Sequence, residues 1–203
     1  MTTVMKTSTH NKNARHASEA RRSRGAETRA RILAVAARLF RKDGIDAVGV
    51  DAVMREAGLT HGGFYTHFAS KEALVAEVAA LVMRRSGERW QAIARENEAG
   101  AGYRKLVLDY LGMSHVAAPD HGCPLTALGP EIARRPAARA GVTEGMRAML
   151  DALERCIPAG GAEEATSALC TMVGAVVLAR ISDDPTLSET ILSAARTKLL
   201  TPG

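Results

Sequence analysis

Aromatic side chains are scarce in this chain. Three Phe, three Tyr and one Trp make up 3% of 203 residues. Alanine and aliphatic residues dominate instead, which favours helices over strands, and no segment alternates apolar and polar residues as a half-buried strand does. Cysteine is scarce too. Cys123, Cys156 and Cys170 are odd in number, widely spaced and form no CxxC; that excludes a disulfide framework and fits a reducing cytosol. No apolar signal-peptide core occurs near the N-terminus. The longest apolar run, "ALCTMVGAVVLA" at 168–179, falls short of the ~20 residues that span a bilayer and reads as a buried helix. Also missing are a nucleophile–base constellation, a Gly-rich phosphate loop after a strand, and paired carboxylates in an apolar setting. An enzyme is therefore disfavoured, and no cofactor or metal site is expected.

What is present is a charge asymmetry. Residues 1–42 carry eleven Lys and Arg against Glu19 and Glu27, whereas residues 43–203 carry sixteen against twenty Asp and Glu. A basic front on an acidic body suggests a polyanion touching only the N-terminal part. Residues 1–25 have almost nothing to bury and read as a disordered basic arm ending in "RRSR" (21–24); a solvated tail is the competing reading.

Helical periodicity begins with Ile32, Leu33, Ala36, Leu39 and Phe40 on one face, closed by Gly44. Val50, Val53, Met54 and Ala57 form a second short face that Gly58 breaks. Thr60 restarts a helix ending near Phe68, and Ser70 caps a long helix to about Glu96. Further helices are expected at 103–117, 124–134, 137–156, 162–182 and 185–200, with Asp184–Pro185 as N-cap and first-turn proline.

Segment 50–68 thus holds two short helices joined by a tight turn, the helix-turn-helix geometry. Leu59 and Phe64 have hydrophobic-staple spacing across Thr60. Phe64 and Phe68 face inward. The opposite side carries Gly62, Gly63 and Thr66, flanked by Tyr65 and His67, and no large apolar group. A helix entering a major groove needs such a face. His61 and His67 point about 120° apart on a helix and make no metal pair.

The stretch "ETRARILAVAARLFRKDGIDAVGVDAVMREAGLTHGGFYTHFASKEALV" resembles the N-terminal domain of TetR-family transcriptional regulators. The matching elements are Ile32-Leu33, Leu39-Phe40, Gly44, Ala57-Gly58-Leu59-Thr60, Gly62, Phe64-Tyr65, His67-Phe68 and Ser70-Lys71-Glu72. The resemblance implies an all-α protein: a helix-turn-helix DNA-binding domain (26–86, the motif at about 49–68) and a helical ligand-binding and dimerisation domain (87–203). It further implies a homodimer through the last two helices, a palindromic double-stranded operator, an inducer pocket, a cytoplasmic location and no membrane partner. Val48 and Met54 depart from the family pattern, at a phosphate contact and at the helix crossing respectively.

On this reading Arg24, Thr60, His61, Gly62, Gly63, Tyr65, Thr66, His67 and Lys71 are the candidate DNA contacts. Thr60 can cap its helix, hold a phosphate, or do both. His61 reaches a base edge or a phosphate, or is simply solvated. Tyr65 contacts DNA or is partly buried. Lys71 matches the family's phosphate-binding lysine. Gly62 permits close backbone approach, and Gly63 leaves base reading to its neighbours.

In the C-terminal part, Cys123 precedes Pro124 at an expected helix N-cap, where a thiolate is stabilised. It is a candidate sensor of electrophiles or oxidants; a small buried residue in a packed turn is the plainer reading. His115, His121 and Cys123 lack a usual metal-ligand spacing. Trp90, Tyr110, Met113, Met146, Met149 and Met172 are the candidate pocket residues, with ordinary core as the alternative for each. Cys156 and Cys170 read as core. The function expected is a transcriptional repressor released by an inducer or by thiol modification. A small all-helical interaction module or an unrecognised enzyme is the alternative.

Overall fold

The computed structural model describes residues 7–158 and 160–201, with side chains from residue 21 onward. Its helices are α1 (Thr7–Asp43), α2 (Val50–Glu56), α3 (Phe64–His67), α4 (Lys71–Glu96), α5 (Ala99–Tyr110), α6 (Met113–Ala117), α7 (Pro124–Ala133), α8 (Pro136–Cys156), α9 (Ala162–Ile181) and α10 (Pro185–Leu200). Among the described residues there is no strand.

Three differences from the expected boundaries have physical causes. Residues 7–24, read as part of a disordered arm, continue α1. They contain neither Pro nor Gly, and extending an existing helix is far easier than nucleating one. Residues 1–6 lie outside the described residues. Next, the single helix expected at 103–117 is two, divided at Leu111–Gly112. Finally, α9 is twenty residues long, so by length and composition it could cross a membrane, although its longest apolar run is short. In the fold its apolar side, including Ala165, Leu169, Met172 and Val176, is buried, and it packs on α8 and α10.

Two positive φ values shape the N-terminal unit. Gly44 (φ 88) closes α1, and Gly58 (φ 67) turns the chain from α2 toward α3; other residues pay a steric penalty there. Between these turns, Ile32, Ala36 and Phe40 of α1 join Val53, Met54, Phe64 and Phe68 in the core, all nearly inaccessible. Phe64 and Phe68 stack with centroids 5.6 Å apart. The Arg29 guanidinium lies 4.7 Å above the Phe68 ring and pairs with Glu77, tying α1 to α4. Val48 and Met54, the two residues that depart from the family pattern, are both buried.

Helix α4 continues from this unit into the C-terminal bundle, so the expected boundary near residue 86 falls inside a helix. There α4 and α8 form the most extensive helix pair. Their approach is set by missing side chains: a Cβ on Gly145 would stand 2.6 Å from that of Met83, and one on Gly87 would stand 2.8 Å from that of Ala148. Asp184 caps α10 as expected, its carboxylate accepting from the Thr186 amide at 2.8 Å.

Candidate DNA-binding surface and effector cavity

The segment before α3 is a single 3-10 turn, His61–Gly63. Thr60 occupies the N-cap position with extended backbone, yet its hydroxyl makes no capping bond. Its carbonyl accepts from the Gly63 amide at 3.1 Å. Of the two roles open to Thr60, capping by the side chain is thus removed. His61 is exposed and its Nδ1 meets the Asp51 carboxylate in the first turn of α2. That contact fixes one helix against the other and leaves Nε2 outward. Tyr65 is 63% exposed and rests edge-on against Phe64 at 5.3 Å; partial burial is excluded. Thr66 is exposed beside it. Half-buried His67 ends α3, and Lys71 opens α4 behind Ser70, whose hydroxyl caps the Ala73 amide at 3.1 Å. Arg24 is exposed on α1. It lies five residues, hence ~7.5 Å of helix rise, before Arg29, whose ring contact sits at the α3–α4 junction. The basic end of α1 is therefore close to the Lys71 side of the motif.

The two glycines differ. No atom lies within 4 Å of where a Gly62 Cβ would be. Nothing in the fold demands glycine there. At Gly63 a Cβ would touch the Met54 Cε at 3.7 Å and the Thr60 Oγ1 at 3.8 Å, so a side chain would grow inward, against α2. A Cβ at Gly63 would thus make ordinary contact with α2, whereas one at Gly62 would meet nothing.

The second site is a cavity of about 230 Å³ lined by residues of α4, α5, α6 and the 118–122 loop, among them Arg89, Trp90, Tyr110, Ser114 and His115. Its wall is aromatic. Tyr110 meets Trp90 edge-on at 5.6 Å and His115 at 4.5 Å. His115 is held at both nitrogens: Nδ1 lies 2.7 Å from the Tyr110 carbonyl, and Nε2 accepts the Cys123 amide at 2.9 Å. A carbonyl only accepts and an amide only donates, so the ring is the Nδ1–H tautomer. Burial first, then the nearby Arg180 and Arg89 charges, hold His115 below the usual histidine range against the opposing pull of the Tyr110 carbonyl. Beneath the loop, Arg180 donates to the Val116 and His115 carbonyls and to the Thr126 hydroxyl, at 2.6–3.2 Å. All three acceptors are neutral.

Cys123 does occupy the N-cap of α7 with Pro124 behind it. Its thiol nevertheless departs from the expected low pKa. The residue is 1% exposed, and burial pushes the thiol up, outweighing the Tyr110 hydroxyl and the Leu125 and Thr126 amides that favour the thiolate. His121 is no partner for it, being exposed and paired with Asp120 at 3.4 Å. Cys156 is core as expected, whereas Cys170 is exposed on α9.

The cavity and the N-terminal unit are joined by direct bonds. Arg41, in the last turns of α1, donates to the carbonyl of Gly122 at 3.1 Å, and Gly122 lines the cavity. Glu131 of α7 accepts from the Ile45 and Asp46 amides at 2.8 and 3.1 Å, in the segment that leads into α2.

Residues 32–78 match the sequence signature described as "Bacterial regulatory proteins, tetR family". These residues form a TetR-family N-terminal domain. Similar proteins include the HTH-type transcriptional regulator AcrR of Shigella flexneri, 39% identical over 62 residues that make up 30% of this chain and 29% of AcrR. The chain aligns with about a third of the length of the curated relatives it matches. Likeness in fold extends much further. A TetR transcriptional regulator from Chloroflexus aurantiacus superposes with a TM-score of 0.69 at 27% identity, over 88% of this chain and 94% of that one. The reduced form of E. coli NemR gives 0.71 at 21% identity, over 85% and 95%. AcrR and the Chloroflexus protein are both described as transcriptional regulators.

Within the C-terminal bundle the expected pocket residues separate. Trp90 and Tyr110 line the cavity. Met149 and Met172 are fully buried core, and Met146 packs against that core. Met113 is 41% exposed and lines a shallow depression beside Val116 and Arg180. No methionine lines the cavity itself; the expectation of a Met-rich pocket is corrected. Periodicity could not have told these residues apart, because a core methionine and a cavity methionine occupy the same helix face. Arg89, Asp109, Ser114 and His115 are among the lining residues that sequence reasoning did not place there.

Proposed function

We propose that this chain is a dimeric, operator-binding transcriptional repressor that leaves DNA when a small molecule fills the α4–α5–α6 cavity. The observation that carries the DNA-binding part is the vacancy at Gly62. The fold itself would accept a side chain there, so packing within the chain does not account for the glycine, and close approach of a duplex to the backbone does. Thr60, His61, Tyr65 and Thr66 surround that vacancy with exposed polar groups, and Lys71 and Arg24 supply charge for phosphates. A cytoplasmic location follows from a chromosomal target.

Dimerisation through α9 and α10 is supported by exposed apolar residues on both helices: Leu178 (56%), Ile181 (75%) and Leu187 (50%). Gly174, midway along α9, has open space where a Cβ would be. Release by thiol modification through Cys123 is the weaker alternative, since the thiol is buried and held protonated.

The deciding experiment is binding to the DNA beside the chain's own gene, followed by anisotropy and footprinting over a salt series. The expected result is a symmetric footprint on an inverted repeat, with affinity falling steeply as salt rises. A flat salt response, or no protected site, overturns the reading.

A further inference from the structure

The charges around the cavity point to the chemical class of its ligand. Arg89 lines the cavity and pairs with no carboxylate among the described residues. The two acids near the mouth are already engaged. Asp109 accepts from Lys105 Nζ at 2.9 Å, and Asp120 faces His121 and the Arg41 charge. Arg180, half-buried below the loop, has only neutral acceptors. Two guanidiniums thus stand at or behind the wall against one lining acid, Asp109, which is itself paired with Lys105, so the local charge balance is positive. The Tyr110 hydroxyl is buried in the same wall, and its polar neighbour is the Cys123 thiol, a weak acceptor. Buried donors of this kind are costly unless something accepts from them. His115 cannot supply an acceptor, because both its nitrogens are in use.

A ligand that satisfies this wall brings one negative charge with in-plane acceptor oxygens and a flat apolar body to lie against Trp90 and Tyr110. At about 230 Å³ the space is below the ~300–1,000 Å³ of drug-sized sites. We propose that the cavity binds a small aromatic carboxylate, its oxygens bonded to Arg89 and within reach of the Tyr110 hydroxyl, its ring against Trp90. This rests on the cavity being the effector site of the proposed function, and names the effector's class.

Trp90 is the chain's only tryptophan, so its emission reports on the cavity without a label. The test titrates the full chain, without DNA, with benzoate, its neutral isostere benzamide, and cyclohexanecarboxylate, following Trp90 fluorescence and heat by calorimetry. Benzoate is expected to bind about tenfold or more tighter than benzamide, the scale of one charge-assisted hydrogen bond. It should also bind tighter than the saturated acid. Arg89→Gln, at an exposed position, should remove most of the benzoate advantage and weaken benzamide by a much smaller factor; Tyr110→Phe should weaken benzoate less than Arg89→Gln does. Equal affinity for benzoate and benzamide, an Arg89→Gln protein that binds benzoate unaltered, or neither heat nor quenching with benzoate overturns the class. A separate operator-binding assay isolates the underlying reading. If benzoate binds as described but does not release DNA, the ligand class stands and the cavity's role as effector site falls.

Discussion

At the residue scale, the glycines of the recognition turn make separable predictions. Gly62→Ala should leave the fold intact or stabilise it by up to ~1 kcal/mol, because alanine restricts the unfolded chain and meets nothing in the folded one. Its operator affinity should nevertheless drop sharply; thermal melts and anisotropy on the same protein read both. Gly63→Leu should behave the other way round, with lost stability from pressing on Met54 and Thr60 preceding any change of sequence preference. Thr60→Ala should cost little stability, since its hydroxyl caps nothing, and should weaken all DNA sequences alike if that hydroxyl holds a phosphate. His115 makes a pH prediction. Its folded pKa lies below the unfolded value of about 6.5, so below that pH the unfolded chain takes up the proton first. Stability contributed by the neutral ring is complete above about 6.5 and is lost as the pH falls through the folded value. Urea midpoints between pH 5 and 8 should show the decline, and His115→Gln should flatten it.

At the element scale, α4 and α8 are held close by Gly87, Gly141 and Gly145, each of which would place a Cβ inside contact distance of its neighbour. Gly145→Ala should destabilise by about 1–3 kcal/mol, the usual cost of overpacking, measurable as a lower denaturation midpoint. The effect should reach DNA binding as well, because α4 carries Lys71 at one end and Trp90 near the other. By contrast α3, only four residues long, cannot hold itself together by backbone bonds. It persists through buried Phe64 and Phe68 and the Gly58 turn. Gly58→Ala meets no atom but must adopt φ near 67, a strain of ~1–2 kcal/mol.

At the scale of the whole molecule, the question is how a filled cavity could reach the recognition turn. Two connections cross between the units: Arg41 to the Gly122 carbonyl, and Glu131 to the Ile45 and Asp46 amides. Arg135 adds contacts to Asp46 and Glu72. If these bonds carry the effector's signal, Glu131→Gln should bind the operator and the ligand separately much as the parent does. The ligand should then lower its DNA affinity by a smaller factor. Coupling energies of this kind run to ~1–3 kcal/mol, so a change of several-fold in the ligand's effect is the measurable quantity. Oligomeric state belongs to this scale too. Ile181→Asp should shift sedimentation toward monomer and weaken binding to a two-half-site operator far more than to a single half-site.

Local patterns determined much of this protein. Periodicity and punctuation by Gly44, Gly58, Pro124 and Asp184–Pro185 were enough to place most of the helices, because helix starts, stops and apolar faces are near-neighbour properties of the chain. The motif from Ala57 to Glu72 carried the resemblance, and it lies within the matched residues 32–78. Other features arise only where distant segments meet. The inward direction of Gly63 depends on Met54. The raised thiol of Cys123 depends on burial beneath α5 and α6, which overrides the favourable helix end. The cavity's aromatic and cationic wall joins Arg89 and Trp90 to Tyr110, Ser114 and His115 through the Leu111–Gly112 break, which periodicity did not show. Burial and unpaired charge are properties of the assembled interior, and there the tertiary structure decided.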